Sequence, residues 1–212
     1  MVCNLCPRHC NAVRTKTDGA GYCGMGTDPV VARAARHDWE EPCISGTQGS
    51  GTVFFCGCTL GCVFCQNAAI SKGERAGIAL TAEALAELFR RVEGLGVHNV
   101  NLVSPTHFAP AVLQALRIYK PSIPVVWNSS GYESPEMIAQ AEGLVDVYLP
   151  DFKYAKASTA KELAGAPDYF PVALKAIRAM YAQTGAPVYN EQGILLRGTL
   201  VRHLVLPMRV DE

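Results

Sequence analysis

The chain has 212 residues, 49% hydrophobic and 18% charged, enough for one sizeable α/β domain with a real core. Lysine plus arginine equals aspartate plus glutamate at 19 each, so no charge excess points to nucleic acid or an anionic membrane as partner. MVCNLCPRHC lacks the apolar core of a signal peptide, and no stretch approaches the roughly 18 uncharged apolar residues of a membrane span. The expectation is a cytoplasmic protein.

All nine cysteines fall in the first 65 residues, and without a secretion signal they argue for metal or redox chemistry rather than disulfides. Residues 1–26 form a Cys/Gly-rich module holding Cys3, Cys6, Cys10 and Cys23 at C-x2-C-x3-C-x12-C spacing. Four thiolates make a complete coordination set, either for zinc or for a second [4Fe–4S] cluster. Residues 27–50 read as an irregular connector with turn formers Pro29, Pro42, Gly46 and Gly49. The division expected is a Cys-rich metal-binding module and connector over 1–50 and an α/β body over 51–212.

From there strands and helices alternate. Gly51–Phe55 reads as strand 1, apolar and β-branched after Gly-rich turn signals. Thr81 caps AEALAELFRRVEGLG, which Gly94 or Gly96 ends. Asn99–Val103 is strand 2, and PAVLQALRIYK is a helix with Pro110 in its first turn. Ile123–Trp127 is strand 3, and Ser134-Pro135 opens the helix EMIAQAEGL. Val145–Leu149 is strand 4, and Pro171 opens PVALKAIRAMYAQTG with a Gly185 stop. Leu200–Leu206 is strand 5. Repeated βα units imply about five parallel strands with right-handed crossovers, a partial TIM-like barrel. The chain ends at Val210-Asp211-Glu212, directly after strand 5. It is therefore either C-terminally truncated, the reading adopted here, or a shortened form that pairs with a partner.

Directly after strand 1 come Cys58, Cys62 and Cys65 in FFCGCTLGCVFCQN, spaced C-x3-C-x2-C. Soft thiolates on a tight loop suit zinc or an iron–sulfur cluster. A [4Fe–4S] cluster usually takes four cysteines, so three leave one iron open to a non-protein ligand. Phe64 would shield such a cluster from water. The plainer alternatives are a zinc site with Cys56 as fourth ligand, or buried free thiols. Cys43 and Cys56 read as small buried residues. Polar residues also punctuate the strand ends: Ser104, Thr106 and His107 after strand 2; Asn128 to Gly131 after strand 3; Asp151 and Lys153 near the end of strand 4; Arg202 and His203 in strand 5. In parallel α/β folds these ends share one rim with the cysteine loop.

The C-x3-C-x2-C loop with an aromatic residue before its last cysteine resembles the radical SAM superfamily. EEPCISGTQGSGTVFF, SPTHFAP, WNSSGYE, VDVYLPDFKY, LVRHLVLP and the N-terminal CNLCPRHC…GYCG resemble its pyruvate formate-lyase activating enzyme-like subgroup. The resemblance covers essentially the whole chain. It implies that Cys58, Cys62 and Cys65 bind a [4Fe–4S] cluster whose open iron chelates S-adenosylmethionine (SAM). Reductive cleavage then yields a 5′-deoxyadenosyl radical that abstracts hydrogen. It further implies an electron donor such as flavodoxin or ferredoxin and, as substrate, a glycine of a glycyl-radical enzyme.

Within that resemblance, Ser104-Pro105-Thr106-His107 stands where many members carry Gly-Gly-Glu-Pro near the SAM amino group. The acid is missing, so Thr106 and His107 are the substitute contacts, against a plain loop histidine. Asn128 and Ser130 are implied ribose or methionine contacts, against an Asx-type turn. Asp151 and Lys153 resemble an Asp-x-Lys pair near SAM and the target peptide, against a structural ion pair. Arg202 resembles an arginine that reaches the SAM carboxylate or ribose, whereas His203 alternates to the opposite face and reads as structural. Pro207 is followed by Met208 where the family usually has Gly. The rival from another class is a non-catalytic iron–sulfur or zinc protein acting in electron transfer or as a scaffold.

Overall fold

The computed structural model of the chain describes residues 2–210, so the closing Asp211-Glu212 lie outside the described residues. The N-terminal module contains β1 (Val2–Cys3) and β2 (Ala12–Val13), followed by β3 (Val30–His37), α1 (Pro42–Ser45) and β4 (Ser50–Phe55). Next come α2 (Ala68–Ser71), β5 (Ile78–Ala79), α3 (Ala82–Glu93), β6 (Val100–Val103), a 3-10 turn (Thr106–Phe108) and α4 (Ala109–Ile118). The second half runs β7 (Val125–Ser129), α5 (Pro135–Gln140), β8 (Val147–Pro150), α6 (Ala157–Ala164), α7 (Tyr169–Thr184), β9 (Val188–Tyr189) and β10 (Leu195–Thr199).

One eight-stranded mixed sheet, ordered β5-β3-β4-β6-β7-β8-β10-β9, carries the fold, and β1 and β2 form a separate two-stranded sheet. Pairing is parallel from β4 through β6, β7 and β8 to β10. It is antiparallel where β3 joins β4, β5 joins β3 and β9 joins β10. Helices flank this sheet, an α/β arrangement consistent with the partial barrel expected.

The helices form where apolar spacing and caps agree. Leu85, Ala86, Phe89 and Val92 put one buried face of α3 on the sheet, and the Thr81 side chain accepts from Ala84 N. α7 stops at Gly185, whose φ of 75° takes the chain out of the helix. The main core joins α3 and α4 to the sheet through Phe89, Phe108, Leu113, Trp127 and Tyr148. A second cluster is aromatic and gathers Tyr132, Tyr154 and Tyr169 around Leu60 and Cys62.

Several elements differ from the sequence expectation. The connector over 27–50 contains β3, an eight-residue strand. Its Ala- and Arg-rich sequence has weak strand propensity, but pairing with β4 from Val31 to His37 supplies the ladder. β7 begins two residues later than expected because Pro124 has no N–H to donate; its carbonyl accepts from Val100 N. Leu200–Leu206 is not a strand. The last parallel strand is β10, and its outer flank is covered by β9 through a hairpin that Asn190 closes by accepting from Gln192 N and Ile194 N. Past Thr199 the ladder to β8 continues only as Leu200 N to Tyr148 O, Arg202 N to Pro150 O and Phe152 N to Arg202 O. Val201, Leu204 and Val205 are consequently exposed. α6 has no counterpart in the sequence expectation: Lys156 at its start offers no side-chain cap, although Gly165, left-handed at φ 58°, and Pro167 mark its end.

Met208, where the resembled family has Gly, holds a φ of 61° and is 99% exposed. A side chain in the left-handed region costs about 1–2 kcal/mol that glycine does not incur. Met208→Gly is expected to raise stability by about 1 kcal/mol, read as a higher urea midpoint with an unchanged slope.

Candidate active site

Cys58, Cys62 and Cys65 leave the C-terminal end of β4 on a loop that two glycines make possible. Gly57 has φ 81°, and a Cβ there would stand 2.4 Å from Met25 Cγ and 3.0 Å from Cys23 O. Gly61 has φ 62°, and a Cβ there would stand 2.3 Å from Lys72 Cε. The loop is thus pressed between the N-terminal module and α2, in backbone conformations that side chains avoid.

Each thiol of this loop receives a hydrogen bond. Cys58 Sγ accepts from Leu60 N and Gly61 N, both at 3.4 Å. Cys62 Sγ accepts from the Tyr154 hydroxyl at 3.1 Å, and Cys65 Sγ from the Ser71 hydroxyl at 3.5 Å. Burial raises the pKa of the Cys58 and Cys62 thiols, while these hydrogen bonds and the Lys153 ammonium pull it down. Cys58 and Cys65 both raise Cys62 electrostatically, as near neighbours do. Phe64 packs edge-on against Tyr154, and Tyr132 and Tyr169 complete an apolar shell around Leu60 and Cys62.

Among the described residues no three His, Cys, Asp or Glu side chains converge closely enough to hold a single metal ion. An iron–sulfur cube spreads its ligands around its corners rather than around one atom. Thiols on one loop, donors aimed at their sulfurs and an aromatic shell make up the donor chemistry such a cube requires. The residues present therefore fit the group.

In the N-terminal module the thiols share one locale. Burial pushes Cys6 up to about 11, with further increments from Cys23, Cys3 and Cys10. Burial also raises Cys23, against Arg14 and with Cys3 and Cys10. Cys3 Sγ lies 3.6 Å from Arg14 Nη1. Cys56 is fully buried, its thiol directed at Ala76 O, and Cys43 is half-buried.

The rim brings four of the expected residues into one polar network. Arg202 Nη2 donates to Asn128 Oδ1 at 2.7 Å, and its Nε stands 2.9 Å from Asp151 Oδ1, an ion pair without hydrogen-bond alignment. Lys153 Nζ pairs with Asp151 Oδ2 at 2.7 Å. Two residues not anticipated as site residues join them: Glu40 and Glu41, each 3.3 Å from Arg202 Nη1. Burial works against the Arg202 charge, yet Asp151, Glu41 and Glu40 hold its pKa above the usual arginine value. Burial likewise raises Glu40, with Arg202 opposing. Their signal was present in EEPCISG, where two acids abut an apolar turn.

The other candidates lie outside this side-chain network. Ser130 O accepts from the Tyr169 hydroxyl at 2.8 Å. Thr106 donates to Glu133 Oε1 at 2.9 Å, and the Trp127 indole donates to the same carboxylate. Glu133 is fully buried, and burial raises its pKa against these bonds. His107 Nε2 lies 2.7 Å from Cys56 O, and its buried Nδ1 has no hydrogen-bond partner among the described residues. His203 is exposed, with Nδ1 2.7 Å from Phe152 O. Ser104, at a position where the resembled segment has Gly, holds a φ of 57°. That strained residue sits where β6 delivers its loop to the rim.

A cysteine loop at the end of a parallel strand, with a polar rim on the neighbouring strand ends, occupies the place where α/β proteins build their sites. The family model described as the radical SAM superfamily matches residues 52–187, well over half of the chain, so the chain belongs to that superfamily. It is also similar to an uncharacterized protein of Methanocaldococcus jannaschii, 30% identical over 217 residues. That alignment covers 99% of this chain and 58% of the relative. No helix among the described residues is long and apolar enough to cross a membrane.

Burial depresses the pKa of His107 from the usual 6.5 to about 4, with the Cys56 carbonyl opposing and Arg14 and Arg75 adding to the shift. Between these values the unfolded chain binds the proton and the folded chain does not. Stability from this group is therefore complete above about pH 6.5 and lost as pH falls towards 4. His107→Gln should flatten the acid limb of a urea-midpoint profile over that window, relative to the unaltered chain.

Proposed function

We propose that the chain is a catalytic radical SAM protein of the pyruvate formate-lyase activating enzyme-like kind. Cys58, Cys62 and Cys65 would hold a [4Fe–4S] cluster, and SAM would lie between that loop and the Asn128–Asp151–Lys153–Arg202 rim. The observation that carries this reading is Lys153. It pairs with Asp151 on the rim at 2.7 Å, and the hydroxyl of the next residue, Tyr154, donates to Cys62 Sγ at 3.1 Å, which supports reading loop and rim as one site.

When bound, the cluster and SAM supply reductive C–S cleavage to methionine and a 5′-deoxyadenosyl radical that abstracts hydrogen. The chain's own part is to bind, orient and exclude water. Glu40, Glu41 and Asp151 outnumber Arg202 and Lys153 by one charge, which suits the SAM ammonium. Ser130 and Asn128 offer polar contacts for ribose or methionine. Thr106 and His107 anchor the β6 loop through Glu133 and the Cys56 carbonyl. Phe64, Tyr132, Tyr154 and Tyr169 form the apolar shell that keeps solvent from a reactive centre.

The likeness of VDVYLPDFKY to the activating-enzyme stretch supports a glycine of a glycyl-radical enzyme as the hydrogen source. Flavodoxin or ferredoxin would be the electron donor. Cys3, Cys6, Cys10 and Cys23 would hold a second metal, zinc or iron–sulfur; their spacing and their mutual electrostatic effect support this, and a single zinc ion would require the sulfurs to draw closer than they stand.

The test is anaerobic reconstitution with iron and sulfide, reduction with SAM present, and assay for 5′-deoxyadenosine. The expected result is formation of 5′-deoxyadenosine and methionine, and loss of both product and loop-cluster absorbance in Cys62→Ala. Arg202→Ala should weaken SAM binding about tenfold or more while cluster absorbance remains. Cleavage that persists in Cys62→Ala would overturn the assignment of the loop cysteines, and a loaded cluster that never turns over SAM would favour the non-catalytic iron–sulfur reading.

A further inference from the structure

Arg8 lies between Cys6 and Cys10, and its guanidinium reaches out of the N-terminal module to the three-cysteine loop. Nε donates to Thr59 O at 2.8 Å and Nη2 to Leu60 O at 3.0 Å. On its other side Nη2 donates to Ala164 O at 2.8 Å and Nη1 to Gly165 O at 2.6 Å. Thr59 and Leu60 lie between Cys58 and Cys62. Ala164 and Gly165 close α6, where orphan carbonyls carry the negative end of the helix and favour a cation.

Tyr22, next to Cys23, supports the same contact. Its ring lies 3.7 Å under the Arg8 guanidinium carbon. Its hydroxyl stands 3.0 Å from Leu60 O and 3.3 Å from Ala164 O. The backbone adds one direct link, Val63 N to Leu163 O at 2.8 Å. A planar fork with five N–H donors can span four carbonyls from two segments, and a lysine ammonium cannot. The module's strands, β1 and β2, stand apart from the eight-stranded sheet, so no ladder of theirs transmits order to this loop.

We propose that Arg8 is a positioning residue of the three-cysteine loop, and that the N-terminal four-cysteine module controls that loop's order through Arg8 and Tyr22. Anything that binds or oxidises Cys6, Cys10 or Cys23 acts on residues one or two positions from this clasp. The inference rests on the proposed function for its purpose, since an ordered loop is what a cluster requires. The clasp itself needs no bound group.

The test is amide hydrogen exchange on the full chain, metal-free, comparing the unaltered protein with Arg8→Lys, Arg8→Ala, Tyr22→Phe and the double variant Cys6→Ser, Cys23→Ser. Exchange at Gly61, Val63 and Cys65 should quicken about tenfold or more in the Arg8 variants, the effect of losing a charge-assisted hydrogen bond. Tyr22→Phe should give a smaller change in the same amides, and added zinc should slow those amides in the unaltered chain but not in the double cysteine variant. Amides of β6 and β7 should not change. After reconstitution, Arg8→Lys should retain less iron at the loop or shift its reduction potential, although every cysteine is intact. Unchanged loop exchange in both Arg8 variants overturns the clasp, as does quickening spread equally over β6 and β7. Loop exchange that responds to added zinc equally in the unaltered chain and the double cysteine variant, or in neither, overturns control by the module. If the unaltered chain cleaves no SAM, the proposed function falls, and the metal-free exchange comparison still decides the role of Arg8.

Discussion

Parallel pairing needs a crossover to return each strand to the same direction, so β4, β6, β7, β8 and β10 all discharge their loops at one edge of the sheet. Everything polar in the site inherits its place from that constraint. The cysteine loop leaves β4, Ser104 to His107 leave β6, Asn128 to Ser130 close β7, and Asp151 to Lys153 follow β8. Arg202 arrives by continuing the ladder past β10, where its N–H reaches Pro150 O and its carbonyl takes Phe152 N. A one-residue slip in that stretch would turn the guanidinium to the opposite face.

Concentrating charge there has a cost that the network distributes. Three carboxylates face one guanidinium and one ammonium, with side chains only partly exposed to water. Burial raises the pKa of Glu40, and Arg202 opposes that shift. Removing one member of such a set costs more than the set contributes, because the remaining charges stay desolvated. The neighbouring aromatic shell deepens the effect by lowering the local dielectric, which strengthens every charge pair at its margin. Polar rim and apolar shell thus reinforce each other.

The N-terminal module meets this site from outside the sheet. Arg14 donates to Met25 O, His107 O and Gly26 O, binding the module's own turn to the β6 loop. Arg8 does the same for the cysteine loop and the end of α6. Two arginines of a cysteine-rich segment therefore satisfy backbone carbonyls on two site loops that the main ladder leaves open. The Ser134 hydroxyl, which caps α5, also reaches Leu5 O, so a third element is tied to the same segment.

Much of this was legible in the residues because it depends on local pattern. Strand 1, the Thr81 cap, the Gly185 stop and the cysteine spacing are short-range signals, and each corresponds to an element or loop at that place. The gathering of Asn128, Asp151, Lys153 and Arg202 followed from placing polar residues at strand ends. Three things required tertiary structure. β3 is held by pairing with β4 and not by its own propensity. The true last strand lies upstream of Leu200 because β9 supplies a second partner there, while Val201 to Leu206 keep only the single bridge of Arg202 to Asp151 among the described residues. Glu40, Glu41, Glu133, Arg8 and Tyr22 join the site from positions whose partners are remote in sequence. The amino-acid order determined which chemistry the chain carries: clustered thiols, alternating strands and helices, and acids and bases at their ends. Only the folded chain decided which charges meet, since a salt bridge or an arginine fork depends on distances that no local spacing encodes.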